Sequence, residues 1–489
     1  MKIKQFVFVI LLTLFMNDLL AQDINKVINQ IRDYEYFANG QIALLATDMK
    51  TGEVIASLNP DMSVIPASNT KLVSTAAALE LYGPDFKYKT ELYYTGNIDK
   101  SGVLYGNLII KGGGDPTLGS RFFYDKENFD YNSKFMEAVR QAGIRRISGN
   151  IIGDCSFYSK EMTPTTWSWE DMGNYYGAVP NGLTVRDNLT TLHFKTGKDG
   201  TTAVYKGSDP EIKNMRIEVN AVASQNVTRE STNVFGKTYQ DNKYIEGFVP
   251  QNKTDVTVRA IIPDPALFVA TQLADSLNSN GIQVLGQALS RTDSTKFTLG
   301  QDTSRNVICT IESPTLFEII QQTNYYSINL YAEHCLALVG LKQVRTTNVN
   351  SACWALMNFW KNKGMDTKGM SINDGCGLSH YNIITPRQLC FLLTYMHNTS
   401  PYYKYFNESL TMCGGKGTMS GMCAGTRAVN NARGKSGTIR RVKSYSGYVT
   451  SRSGRELAFS IIINNFTCSS TDTRFMMEKF IVALADYNK

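Results

Sequence analysis

Residues 66–83, "PASNTKLVSTAAALELYG", set a serine and a lysine three positions apart at the head of an Ala/Leu-rich run. The whole stretch reads as helical, with Pro66 just ahead and Gly83 as a natural stop. Residues i and i+3 share a helix face, so the Lys71 amine can reach the Ser68 hydroxyl. A helix start would also bring free N–H groups and positive dipole beside Ser68. A serine hydroxyl is a poor nucleophile until a base takes its proton, and a neutral lysine can be that base. Burial and a second nearby cation both favour the neutral amine. Serine is equally a common N-cap, and lysine an ordinary helix residue. Spacing alone therefore leaves both readings open, and the rest of the chain has to decide.

At 489 residues the chain exceeds one ordinary core, so two or three domains are expected. Its 43% apolar and 11% aromatic residues are those of a globular protein. The formal charge of +7 is mild and spread along the chain. No basic block tracks phosphates, so no nucleic-acid partner is expected. The N-terminus, "MKIKQFVFVILLTLFMNDLLAQD", has two lysines, an apolar run from Phe6 to Met16, and a small residue at Ala21. That layout predicts a secretory signal over residues 1–21. No later stretch reaches about 18 uninterrupted apolar residues, so no transmembrane segment is expected in the mature chain. The nine cysteines cannot all pair within one chain. Cys413 and Cys423 bracket a glycine-rich loop, "CGGKGTMSGMC", and could close a local disulfide; the alternative is buried apolar thiols. No CxxC, no HExxH and only four histidines argue against a metal site.

Along the chain, "DINKVINQI" places Ile24, Val27, Ile28 and Ile31 on one helical face. "QIALLATD" and "EVIASL" flank a glycine turn and read as a hairpin. From about residue 90 to 290 short β-rich pieces alternate with turns, "DPALFVATQLADSLNSNG" being the main helical exception. Helical patterns return in "SPTLFEIIQQTNYYSINLYAEHCLALVG" and "TPRQLCFLLTYMHN", followed by the strand pair "VKSYSGYVT" and "ELAFSIIIN" and a closing helix. The expected organisation is one α/β domain over residues 22–90 and 290–489, split by a β-rich insertion over 91–289.

A Ser–Lys hydrolase needs a polar group to relay a proton and a cation to hold an anionic substrate end. "YYSINLYAE" offers Ser327 and Asn329. The S-x-N pattern also occurs at Ser57, Ser276 and Ser371, but Ser327 opens a helical run after two tyrosines. K-T-G occurs at Lys50 and Lys195, in a hairpin turn and in the β-rich middle. Neither follows the S-x-N element, whereas "ARGKSGTIRRVKSYSGYVT" does. Its Lys435, Ser436, Gly437 and Thr438 supply the third element. A strand there is expected to set Lys435 and Gly437 on opposite faces and to let a substrate backbone lie beside Gly437.

S-x-x-K, then S-x-N, then K-S-G in this order resembles the penicillin-recognising serine enzymes. Within them the chain is similar to the class C low-molecular-mass penicillin-binding proteins, which trim peptidoglycan. "GGGDPTL" (Gly112 to Leu118), "YGAVPNGLTV" (Tyr176 to Val185) and "DGCGLS" (Asp374 to Ser379) carry the resemblance further, and it covers essentially the whole mature chain. Two positions depart from the family pattern: Ser436 stands for a usual threonine and Cys376 for a usual serine. The resemblance implies a transpeptidase-like α/β domain, an antiparallel sheet flanked by helices, with the insertion forming extra β-rich domains. It implies a periplasmic D-Ala-D-Ala carboxypeptidase or endopeptidase that uses no cofactor. Its partners would be peptidoglycan pentapeptides or cross-linked peptides, and β-lactam antibiotics. Ser68 would be the nucleophile, Lys71 its base, and Ser327, Asn329 and Lys435 the orienting and proton-relay groups. Ser436, Gly437 and Thr438 would line the carboxylate site, with the N–H groups of Ser68 and Thr438 as oxyanion hole. Two rivals remain on this reading: a silent peptide-binding scaffold of the same fold, and a serine β-lactamase. The long insertion and the lack of a clear deacylating glutamate motif disfavour the second.

Overall fold

The structure is a computed structural model that describes residues 24–126, 128–292 and 305–489. The signal expected over residues 1–21 lies outside the described residues. No helix among the described residues is long and apolar enough to cross a membrane. The chain divides into two compact units. The first is built from the chain up to Leu81, Ile320–Ser327 and Leu356–Lys489, the second from Tyr82–Ile319 and Ile328–Ala355.

The first unit is organised on a six-stranded antiparallel sheet. Its order is Thr411–Met412, Arg433–Ile439, Val442–Thr450, Glu456–Asn464, Gln41–Asp48 and Val54–Leu58. Strand alternation divides its side chains between two faces. Leu457, Phe459, Ile461 and Ile463 join the core made with Ile24, Val27, Ile28 and Ile31 and with the closing helix Ser470–Asp486. The apolar stripe of "DINKVINQI" is thus buried in the helix Ile24–Arg32 as its period requires.

On the other face lies the helix Pro386–Asn398. Thr385 and Gln388 cap its start reciprocally, at 3.1 and 3.0 Å, with Pro386 at the first helical position. Tyr448 reaches across to donate to the Leu393 carbonyl at 2.8 Å. The three strands Val442–Thr450, Glu456–Asn464 and Gln41–Asp48 are buried along nearly their whole length, and this sheet forms the back wall on which the serine segment is mounted.

The second unit holds a five-stranded mixed sheet, a four-stranded one and two three-stranded sheets. The helix Pro265–Ser279, N-capped by Asp264 through Leu267 N at 3.0 Å, packs on the first of these through Val269, Leu273 and Leu277. A second helix, Tyr131–Gln141, stands in the stretch read as β-rich. Its buried Tyr131, Phe135, Ala138 and Val139 keep helical spacing, but the polar residues between them hide it. The run "SPTLFEII…LVG" likewise breaks into Leu316–Tyr326 and Asn329–Val344. Between them Ser327 adopts a left-handed φ of 58°.

Candidate active site

Ser68 does not sit inside the α-helix. Ala67–Asn69 form a 3₁₀ turn, and the α-helix runs from Thr70 to Tyr82. Ala67, just before the serine, has a left-handed φ of 47°, a conformation that costs a non-glycine residue about 1–3 kcal/mol. Neighbours hold that turn. Thr70 donates to the Ala67 carbonyl at 3.0 Å, and Ser444 to the Pro66 carbonyl at 2.6 Å. Asn69 donates to Ser446 Oγ at 2.9 Å, and Ser446 to Ser460 Oγ at 2.9 Å. Ser444 and Ser446 alternate on one face of the Val442–Thr450 strand, so a small polar residue every second position buttresses the turn. The Ser-x-Ser of "VKSYSGYVT" was the available signal for this.

Lys71 is fully buried. Its Nζ donates to Ser68 Oγ at 2.9 Å and to the Cys376 carbonyl at 2.7 Å. The turn "DGCGLS" presents that carbonyl. Buried Asp374 accepts from Gly377 N, Ser379 N and Asn382 Nδ2, each at 2.7 Å. Gly377 has φ 86°, and a Cβ there would stand 1.8 Å from the Ala67 carbonyl oxygen; only glycine fits. The turn thus packs directly on the serine segment. The lysine contact uses the backbone of Cys376, so the cysteine-for-serine departure leaves it intact.

Lys435, also fully buried, donates to Ser327 Oγ at 2.9 Å and to the Ser436 carbonyl at 2.6 Å. Burial first, and then the charge of Lys71, push its ammonium well below the ordinary lysine range. Ser68, Lys71, Ser327 and Lys435 all belong to the first unit. The two literal K-T-G lysines, Lys50 and Lys195, are exposed.

The expectation that Lys435 and Gly437 face opposite ways is corrected. They are two apart in the strand Arg433–Ile439, and a period of two puts them on one face. A Cβ on Gly437 would stand 2.2 Å from Ser444 Oγ, 2.8 Å from the Pro66 carbonyl oxygen and 2.9 Å from Ser68 N. The glycine therefore admits the backbone of the serine turn. Ser436 Oγ donates to Thr418 Oγ1 at 2.7 Å, and Thr438 is exposed. Thr418 lies in the cysteine-bracketed loop. Cys413 and Cys423 are both buried free thiols with sulfurs 3.8 Å apart. That is beyond a disulfide's ~2.05 Å, and both sulfurs pack within the apolar core.

Asn329 begins its helix in the second unit, where its amide donates to the Tyr176 carbonyl at 2.9 Å. "YGAVPNGLTV" therefore holds the motif asparagine. His334 is a core histidine, between Tyr158 at 3.2 Å and Thr184 at 3.1 Å, and burial pushes it down to about 3. "GGGDPTL" follows the strand Leu108–Lys111 as a turn, with Asp115 accepting from Thr117 N at 2.8 Å.

A serine whose hydrogen-bond partner is a buried lysine, on a segment laid against an antiparallel sheet, places the protein among the penicillin-recognising serine hydrolases. The profile of the D-Ala-D-Ala carboxypeptidase 3 (S13) family matches residues 20–487, and the chain belongs to that family. It is a serine-type D-Ala-D-Ala carboxypeptidase. It is 27% identical over 468 residues to the D-alanyl-D-alanine carboxypeptidase of an Actinomadura species, covering 91% of this chain and 81% of that one. It is 25% identical over 459 residues to the penicillin-sensitive carboxypeptidase A of Dictyostelium discoideum, covering 88% and 84%. The crystal structure of penicillin binding protein 4 from Haemophilus influenzae has the same fold. The TM-score is 0.78 at 19% identity, over 95% of this chain and all of that one.

Proposed function

We propose that the protein is an exported periplasmic enzyme that trims peptidoglycan stem peptides through an acyl-enzyme on Ser68. The observation that carries this is the 2.9 Å hydrogen bond from the buried Lys71 amine to Ser68 Oγ. Ser68 attacks the carbonyl between the two D-alanines, and its proton passes to neutral Lys71. The oxyanion is received by the N–H groups of Ser68 and Thr438; preorganised donors of this kind supply a large share of the rate. The bond to the terminal D-alanine then breaks. Its amine takes up the proton that Lys71 received, relayed through Ser327, whose hydroxyl accepts from Lys435 and so has its own proton free to give; Lys71 returns to the neutral amine that activates the water. Water releases the shortened peptide and regenerates Ser68.

The strand Arg433–Ile439 pairs with Thr411–Met412 only at Arg433 and Gly434. Beyond them its outer edge is open among the described strands, which suits an extended peptide. Lys435 and the hydroxyls of Ser436 and Thr438 receive the terminal carboxylate. The role of Asn329 in orienting the peptide rests on its motif. Covalent capture of β-lactams follows from the same chemistry, and the name of the Dictyostelium relative supports it.

A fluorescent penicillin tests the reading. The enzyme is expected to take one label, hold it for far longer than seconds, and release D-Ala from a pentapeptide. No label would point to a silent scaffold, and loss within seconds to a β-lactamase. Lys435→Ala is expected to lower turnover about 10²-fold or more, the order expected when a charge-stabilising group is removed from a dry site. Lys50→Ala and Lys195→Ala, at exposed positions, should stay within about 0.5 kcal/mol of wild-type stability and keep wild-type turnover. Comparable loss of turnover at either of those two would overturn the choice of lysine motif.

A further inference from the structure

Lys443 lies on the Val442–Thr450 strand directly across from Thr438. Its neighbour Ser444 points to the serine turn, so Lys443 points to the opposite face of the sheet. It is only 7% exposed. Its ammonium donates to Ser470 Oγ at 2.8 Å and to Thr438 Oγ1 at 3.3 Å. Both partners are neutral hydroxyls. Burial first, and then the like charge of Arg474, push Lys443 down to about 8. A cation buried in this way is costly.

An ammonium has donors and no acceptor, whereas a threonine hydroxyl has one donor and two acceptor sites. Thr438 must therefore accept from Lys443, and its single proton is directed elsewhere. A hydroxyl that accepts from a cation also becomes a stronger donor. Thr438 is exposed, on the open edge of the strand, one residue from the glycine that packs on Ser68 N. We infer that Lys443 is a positioning residue that fixes the Thr438 hydroxyl as a donor to the terminal carboxylate of the substrate. The inference rests on the carboxypeptidase reading and adds to it a residue that touches neither substrate nor nucleophile.

The test compares two peptides, one ending in D-Ala-D-Ala and one whose terminal carboxylate is replaced by a carboxamide. Lys443→Met is expected to lose about tenfold in kcat/KM on the acid, chiefly through KM, since one hydrogen bond to a charged group is weakened. On the amide it should lose little. Lys443→Arg should recover part of the loss. Thr438→Val should show the same preference, and the double variant no further loss, because the two act as one unit. Equal losses on acid and amide, or additive losses in the double variant, would show a merely structural lysine and overturn the inference. Wild-type enzyme that takes no penicillin label would instead sink the underlying reading.

Discussion

Ser68→Ala is expected to abolish penicillin labelling and D-Ala release while leaving the protein folded. The substitution removes one oxygen from a half-buried turn. With that oxygen goes the hydrogen bond from Lys71, and a single hydrogen bond contributes about 1 kcal/mol net. The turn itself is held by groups the substitution leaves alone, namely Thr70, Ser444 and the Asn69–Ser446–Ser460 chain. Lys71 keeps the Cys376 carbonyl. Activity and stability should therefore separate cleanly: melting temperature close to wild type, label and turnover gone. A covalent penicillin adduct on the variant would remove Ser68 from its role.

Lys71→Arg tests the mechanism as distinct from the map. The positive charge is kept, but a guanidinium does not give up its proton in the working range. A positioned general base contributes about 10²–10⁴-fold, so acylation should fall by that order. Lys71→His should restore a little activity, since imidazole accepts a proton but reaches less far. Near-normal acylation by the arginine variant would mean that Lys71 is only a fixed charge. The base would then have to be sought at Ser327 or in a bound water.

Much of this site is written locally in the chain. Ser68 and Lys71 are three apart, Ser436 to Thr438 follow Lys435 directly, and order along the chain separates Lys435 from Lys50 and Lys195. Period-two and period-3.6 patterns likewise mark the strand pair before the closing helix and the buried stripe of Ile24–Arg32. What pattern does not carry is the long-range support. Nothing near Lys71 announces that the carbonyl of Cys376, 305 residues away, will receive its amine. That pairing depends on how Asp374 folds its own turn. The Ala67–Asn69 turn is invisible for a related reason: a left-handed alanine contradicts local propensity and is tolerated only because distant groups hold it. Ser444 and Ser446 show as alternation, but their partners Pro66 and Asn69 do not. Cys413 and Cys423 illustrate the converse, since suggestive spacing around a loop cannot separate a bond from two thiols in apolar contact.

The most direct test of the account is to locate the adduct. Wild-type protein is treated with benzylpenicillin, digested, and the modified peptide is identified by mass spectrometry. A single acyl adduct on Ser68 is the predicted result. An adduct on Ser327 or any other residue, or none at all in folded protein, would contradict it.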